Sequence, residues 1–171
     1  MSDHRSDDRH QILDVLHRYT RGIDRLDEDL VRSCYHSDGV ANHGLYEGSV
    51  DHLVDSAFTR QRADVQVATH TIHQTLVEFE GEAAVAETYA TAVERRWPED
   101  AGTFDTMVGL RYVDRFERRD GTWLIARRTV VVDWTQVREV DEGPLAGAQF
   151  VRGRRDSQDL VYQELVRLRS R

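Results

Sequence analysis

The chain has 171 residues and a formal charge of −8, from 31 acidic and 23 basic side chains. That length supports one domain with a real core and is too short for two, and the acidic balance argues against a nucleic-acid partner, which needs a basic face. Every basic residue is arginine, which removes Schiff-base, pyridoxal-phosphate and P-loop chemistry, and the lone cysteine, Cys34, excludes an internal disulfide and cysteine-rich metal clusters.

Residues 1–10 are polar and charged, unlike a signal peptide, and no apolar run approaches the roughly 20 residues a bilayer requires, so a soluble, cytoplasmic protein with no membrane partner is expected. Residues 1–5 are expected to be disordered. Ser6, Asp7 and Asp8 can open a first helix running to about Arg21. Its Ile12, Val15, Leu16, Tyr19 and Ile23 fall at helical spacing and mark one buried stripe. Tyr19 rides on that stripe. Asp24 follows just past Gly22, where the glycine suggests a helix end, and a carboxylate entering the interior there needs a partner. The THTIH segment from Thr69 to His73 is the best source of one.

Asp27 can cap a short second helix with Leu30, Val31, Cys34 and Tyr35, on which Cys34 reads as packing rather than as a nucleophile. Residues 37–48 are turn-rich, with a short strand around Val40 to His43. Ser49 can start a third helix whose Val50, Leu53, Val54, Ala57 and Phe58 share one face. Strands follow over 65–79, 83–97, 103–118 and 122–136, separated by EGE at 80–82, a loop at 98–102 and RDG at 119–121. Strands of about 14 residues must twist and bend, so bulges and strong curvature are expected. The predicted class is α+β, a strongly curved antiparallel sheet with the helices in its concave side. Val130-Val131-Val132 followed by Trp134 is apolar on both strand faces, so a second copy is expected on the convex side, giving a homo-oligomer. After an irregular stretch at 139–155, Asp156 or Ser157 can cap a last helix through Leu168, with Leu160, Val161, Leu165 and Leu168 as the apolar side it would bury.

A helix ending RYxxxxD at 18–24, a G-rich turn before the third helix, a strand opening with TH at 69–70 and running into VEFEGEAA at 77–84, and RYVDRFERRDGTWLIARRTVVVDW at 111–134 occur here in order. Together, over roughly residues 8–137, they resemble the SnoaL-like branch of the nuclear-transport-factor-2-like superfamily, whose members include scytalone dehydratase, bile acid 7α-dehydratase, the lindane dehydrochlorinase and polyketide cyclases. The resemblance implies a cone-shaped α+β barrel in one domain spanning 1–171, and a homodimer or homotrimer. It places the family's acid on Asp24, the preceding tyrosine on Tyr19, the histidine on His70, and a pocket cation on Arg128, with Arg127 as the alternative. Where the dehydratases carry a second tyrosine, about nineteen residues after the acid, this chain has His43, flanked by Asn42 and near Tyr46.

An imidazole oriented by a buried carboxylate is a competent base near neutral pH. With no serine or cysteine beside it, such a dyad would take a proton from carbon or water. Tyr19 or His43 could hydrogen-bond a departing oxygen, and Arg128 could steady an enolate or carboxylate. The implied reaction is cofactor-independent β-elimination, or a related isomerisation or cyclisation, on a compact apolar ring substrate of steroid, polyketide or terpenoid type. The alternative is a non-catalytic protein that holds an apolar ligand in the same pocket. Other readings stand beside these: Asp24 as a cap or an ion-pair partner of Arg21 or Arg25, His70 and Tyr19 as core residues, and Arg128 as a structural cation. A metal held by His70, His73 and Glu78 or His43 is disfavoured, because i and i+3 on a strand face opposite ways.

Overall fold

Ile12, Val15, Leu16, Tyr19 and Ile23 are all buried, and burying that stripe lays the first helix, α1 (Ser2–Arg25), into the hollow of a curved, unclosed sheet. The computed structural model describes residues 2–44, 46–97, 102–140 and 149–170. After α1 come α2 (Glu28–Arg32), β1 (Tyr35–Asn42), β2 (Glu47–Ser49), α3 (Val50–Asp64), β3 (Val65–Glu80), β4 (Ala83–Arg96), β5 (Phe104–Arg119), β6 (Thr122–Glu139) and α4 (Leu160–Arg169). The six strands form one sheet in the order β2-β1-β6-β5-β4-β3, antiparallel except where β1 runs parallel to β6. The α+β class and the helices on the concave side are as the sequence implied. Most of the expected 98–102 loop and positions 141–148 of the expected irregular stretch lie outside the described residues.

The ends of α1 differ from expectation, and both differences have local causes. The helix begins before Ser6, because Arg5 donates to the Gly81 carbonyl at 3.3 Å and lies over the Phe79 ring. Asp8 is no cap either: it is buried and accepts from the Trp123 indole N–H at 2.8 Å. At the other end Gly22 does not stop the helix. A Cβ there would sit 2.6 Å from Val31, so the glycine is needed for the close crossing of α2. The helix ends one turn later, at Leu26 with φ of 54°, where Asp27 N–H donates to Gly22 O at 2.9 Å and Leu26 N–H to Ile23 O at 3.4 Å. This is a Schellman closure, and it keeps Asp24 inside the last turn of α1. Asp27 and Ser49 cap α2 and α3 as anticipated.

On β4 the inward positions are Ala84, Ala86, Thr88, Ala90 and Ala92, all buried and all small. They leave room in the hollow for α1 and for a cavity. Two bulges set which side chains face it. On β3, Ile72 pairs with Ala90 and Thr75 with Thr88, so His73 and Gln74 together oppose Tyr89. Counting alternation back from buried Val77 would turn position 73 inward; the bulge turns 70 inward instead. On β6, Phe116 pairs with Ile125 and Arg115 with Arg127, leaving Ala126 as the extra residue. That shift turns Arg128 inward and leaves Arg127 exposed.

The convex face carries Val67, Tyr89 and Trp134 at 49, 39 and 47% exposure. The last helix also differs from expectation: Leu160 and Leu168 are exposed and no residue of α4 is buried. Its segment is held by polar ties instead, Tyr162 to Asp27 at 2.8 Å and Arg25 to Asp159 at 3.2 Å.

Candidate active site

Asp24 on the last turn of α1 and His70 early on β3 meet at the end of the hollow. His70 Nδ1 lies 2.6 Å from Asp24 Oδ1, and the His70 backbone N–H donates to Asp24 Oδ2 at 3.0 Å. Both side chains are nearly buried. A carboxylate only accepts, so Nδ1 carries a proton, and in the neutral ring Nε2 is left with the lone pair. The backbone bond fixes the second oxygen and so the plane of the carboxylate. Asp24 is paired with neither Arg21 nor Arg25; Arg25 turns to Asp159.

His70 lines a cavity of about 450 Å³. Its floor is apolar and aromatic, with Tyr19, Ile23, Phe58, Ala92, Leu110 and Tyr112, while the exposed His52, Ser56, Arg60 and Val132 mark its mouth. Tyr46 lines the same side, stacked on His52 and donating to Ser49 O at 2.8 Å. No described helix is long and apolar enough to cross a membrane.

Tyr19 stands in the wall of the cavity that His70 also lines, edge-on to Tyr35 and Tyr112. Burial raises its phenol above the ordinary range, so it stays protonated and can donate. His43 also lines the cavity, with Nε2 buried and without a partner. Burial, followed by the nearby Arg128, His70 and Arg60, lowers its pKa to about 3. His43 is therefore neutral near pH 7, able to form a hydrogen bond but not to act as a cationic acid.

Arg128 sits elsewhere than a pocket cation would. It is fully buried and does not line the cavity. Its Nε and one Nη donate to Asp114 at 2.7 and 2.6 Å, and its guanidinium lies 4.0 and 4.1 Å from the Tyr19 and Tyr112 ring centres. The cation supports Tyr19 from behind rather than reaching a ligand, as β5 places Asp114 directly opposite it. Burial pushes the Asp114 carboxyl up against the pull of Arg128. His73 faces outward and bonds Thr91 at 2.8 Å, so it cannot share a metal with His70; among the described residues no cluster of three or more His, Cys, Asp or Glu is placed to hold one. Cys34 is buried packing, its thiol pushed up to about 11 by burial.

Three residues of this region escaped the sequence reading. Asp114 and Tyr112 lie at inward positions of β5, and a carboxylate interrupting an apolar inward row was the available signal. Arg155 offered none, since its acceptors are mostly backbone carbonyls. It donates to Asp24 O, Ile23 O and Val65 O at 3.1, 3.2 and 3.0 Å, and to the Gln61 side chain.

Residues 4–129 match the family model for the SnoaL-like domain. The chain belongs to the SnoaL-like family. No curated protein matches the sequence, but solved structures share the fold. A provisional scytalone dehydratase from Novosphingobium aromaticivorans superposes with a TM-score of 0.71 at 15% identity, covering 88% of this chain and 100% of its own. A hexachlorocyclohexane dehydrochlorinase, LinA type 2, gives 0.71 at 17% identity, with 84 and 97% covered. LinA type 3 from Novosphingobium barchaimii gives 0.66 at 20%, with 86 and 97% covered. At these identities the likeness is one of fold.

Proposed function

We propose that this SnoaL-like protein is a lyase that removes a proton from carbon with the Asp24–His70 dyad and expels a β-leaving group from a compact, mostly apolar ring substrate. The observation that carries the reading is the 2.6 Å contact between Asp24 Oδ1 and His70 Nδ1 beside a mostly apolar cavity of about 450 Å³. Nε2 accepts the proton, the C–H electron pair forms the new double bond, and the leaving group departs with its bonding pair. Asp24 stabilises the imidazolium that results. Tyr19 and neutral His43 can donate hydrogen bonds to the departing atom, yet both are poor proton donors. In a dehydration the His70 imidazolium is then the group able to return a proton to the hydroxyl; a departing halide needs none. The scheme is complete without a cofactor. Names of fold neighbours, a dehydratase and a dehydrochlorinase, agree with elimination.

Positioned acid–base assistance of this kind is worth roughly 10²–10⁴ in rate. The test is a panel of β-hydroxy polycyclic ketones, hydroxylated steroids and hexachlorocyclohexane, followed by absorbance of the unsaturated product. Turnover of at least one compound by the wild type and its loss in His70→Gln would support the lyase. A second reading, a ligand carrier without chemistry, is favoured by the unpartnered Nε2 of His43, which a bound ligand would satisfy. Tight binding of panel compounds with no product from any would select it. The reading extends to assembly: a second copy over Val67, Tyr89 and Trp134 would cover apolar surface that the protomer leaves exposed.

A further inference from the structure

The polar contacts of Arg155 converge on the dyad from outside the segment that matches the family. It lies beyond residue 129, where the family match ends, yet its half-buried guanidinium joins the three elements around the site. Ile23 and Asp24 belong to the last turn of α1, where the Ile23 carbonyl receives from the main chain only the 3.4 Å bond from Leu26 N–H and the Asp24 carbonyl is past the reach of a continuing helix. Val65 is the first residue of β3, five before His70. Gln61 lines the cavity from the last turn of α3. A planar fork with five N–H donors suits such a divergent set of acceptors, and no other side chain type offers it.

We propose that Arg155 is a positioning residue for the dyad: by binding the carbonyls of Asp24 and Val65 at 3.1 and 3.0 Å it fixes the separation between α1 and β3, and so the contact of Asp24 with His70. It touches neither the carboxylate nor the imidazole, and acts through the backbone that carries them. The inference rests on the reading of Asp24 and His70 as a working pair. A one-ångström loosening at such a contact is the kind of misplacement that costs about 10²-fold in rate.

The direct readout is the His70 Nδ1 proton, observed by NMR in ¹⁵N-histidine-labelled full-length protein. In the wild type it gives a slowly exchanging resonance that Asp24→Asn abolishes. In Arg155→Ala its exchange with water accelerates at least tenfold, and added guanidinium chloride at low millimolar concentration slows it again. Arg25→Gln is the control, since it loosens the same C-terminal segment at Asp159 without touching the α1 and β3 carbonyls. Wild-type exchange in Arg155→Ala, or equal acceleration in Arg25→Gln, overturns the proposal. Should Arg155→Ala not fold, Arg155→Lys serves in its place: it keeps the charge but not the fork, and wild-type exchange there also overturns it. A wild-type resonance that is missing, or indifferent to Asp24→Asn, sinks the dyad reading itself instead.

Discussion

The buried pair of Arg128 and Asp114 offers a prediction whose two halves should be unequal. Both side chains are fully buried and joined by two short hydrogen bonds, with Tyr19 and Tyr112 stacked on the cation. Asp114→Asn leaves a guanidinium that cannot shed its proton in a low-dielectric site where one Nη already lacks a partner. Breaking a buried pair in this way costs about 3–5 kcal/mol, which for a chain of this length lowers Tm by about 6–20 °C. Arg128→Met leaves a carboxyl that can neutralise itself, because burial already pushes its pKa up. The sign follows: without Arg128 the folded state holds the Asp114 proton at a higher pH than the unfolded chain, so the folded state binds more protons and stability rises as pH falls. Relative to wild type, Arg128→Met should recover between pH 7 and pH 4 by up to about 1.4 kcal/mol per pH unit, while Asp114→Asn shows no such recovery. Thermal and urea unfolding across that range measure both. Equal losses with parallel pH dependence would refute the argument.

His43 supplies a second pH test with the opposite sign. The unfolded chain takes up a proton near the ordinary histidine range while the folded chain waits until about 3, so stability falls with acidification in the window between. His43→Asn should flatten the unfolding free energy against pH by up to about 1.4 kcal/mol per unit below pH 6.5; superimposable profiles would count against a buried neutral imidazole. On the convex face, Trp134→Glu should shift the protein to monomer mass in sedimentation without lowering Tm by more than a few degrees, and a wild type that is already monomeric would remove the proposed second copy.

Much of the fold was legible because each signal was local. The stripe of α1, the caps Asp27 and Ser49, and the turns at 80–82 and 119–121 depend on residues a few positions apart. Gly22 misled because a glycine near a helix end has two uses, and here the approach of Val31 required it while Leu26 took the left-handed position. Which histidine and which arginine face inward could not be counted from alternation, since the bulges at His73–Gln74 and Ala126 each reverse the parity of a strand. For His70 the family pattern supplied what alternation could not. Arg128 was placed on the right face but in the wrong office, because its partner Asp114 lies across a strand pair whose register passes through a bulge. Arg155 stayed invisible for a different reason: its acceptors are mostly main-chain carbonyls, which no residue type announces.

The most direct test of the central claim is a primary kinetic isotope effect on a panel compound that the wild type converts, synthesised with deuterium at the carbon that loses its proton. The account predicts slower turnover of the deuterated compound, and a fall of at least about 10²-fold in kcat for both Asp24→Asn and His70→Gln, with each variant still folded. Turnover that is indifferent to deuterium, or that survives within a few-fold in either variant, would contradict it.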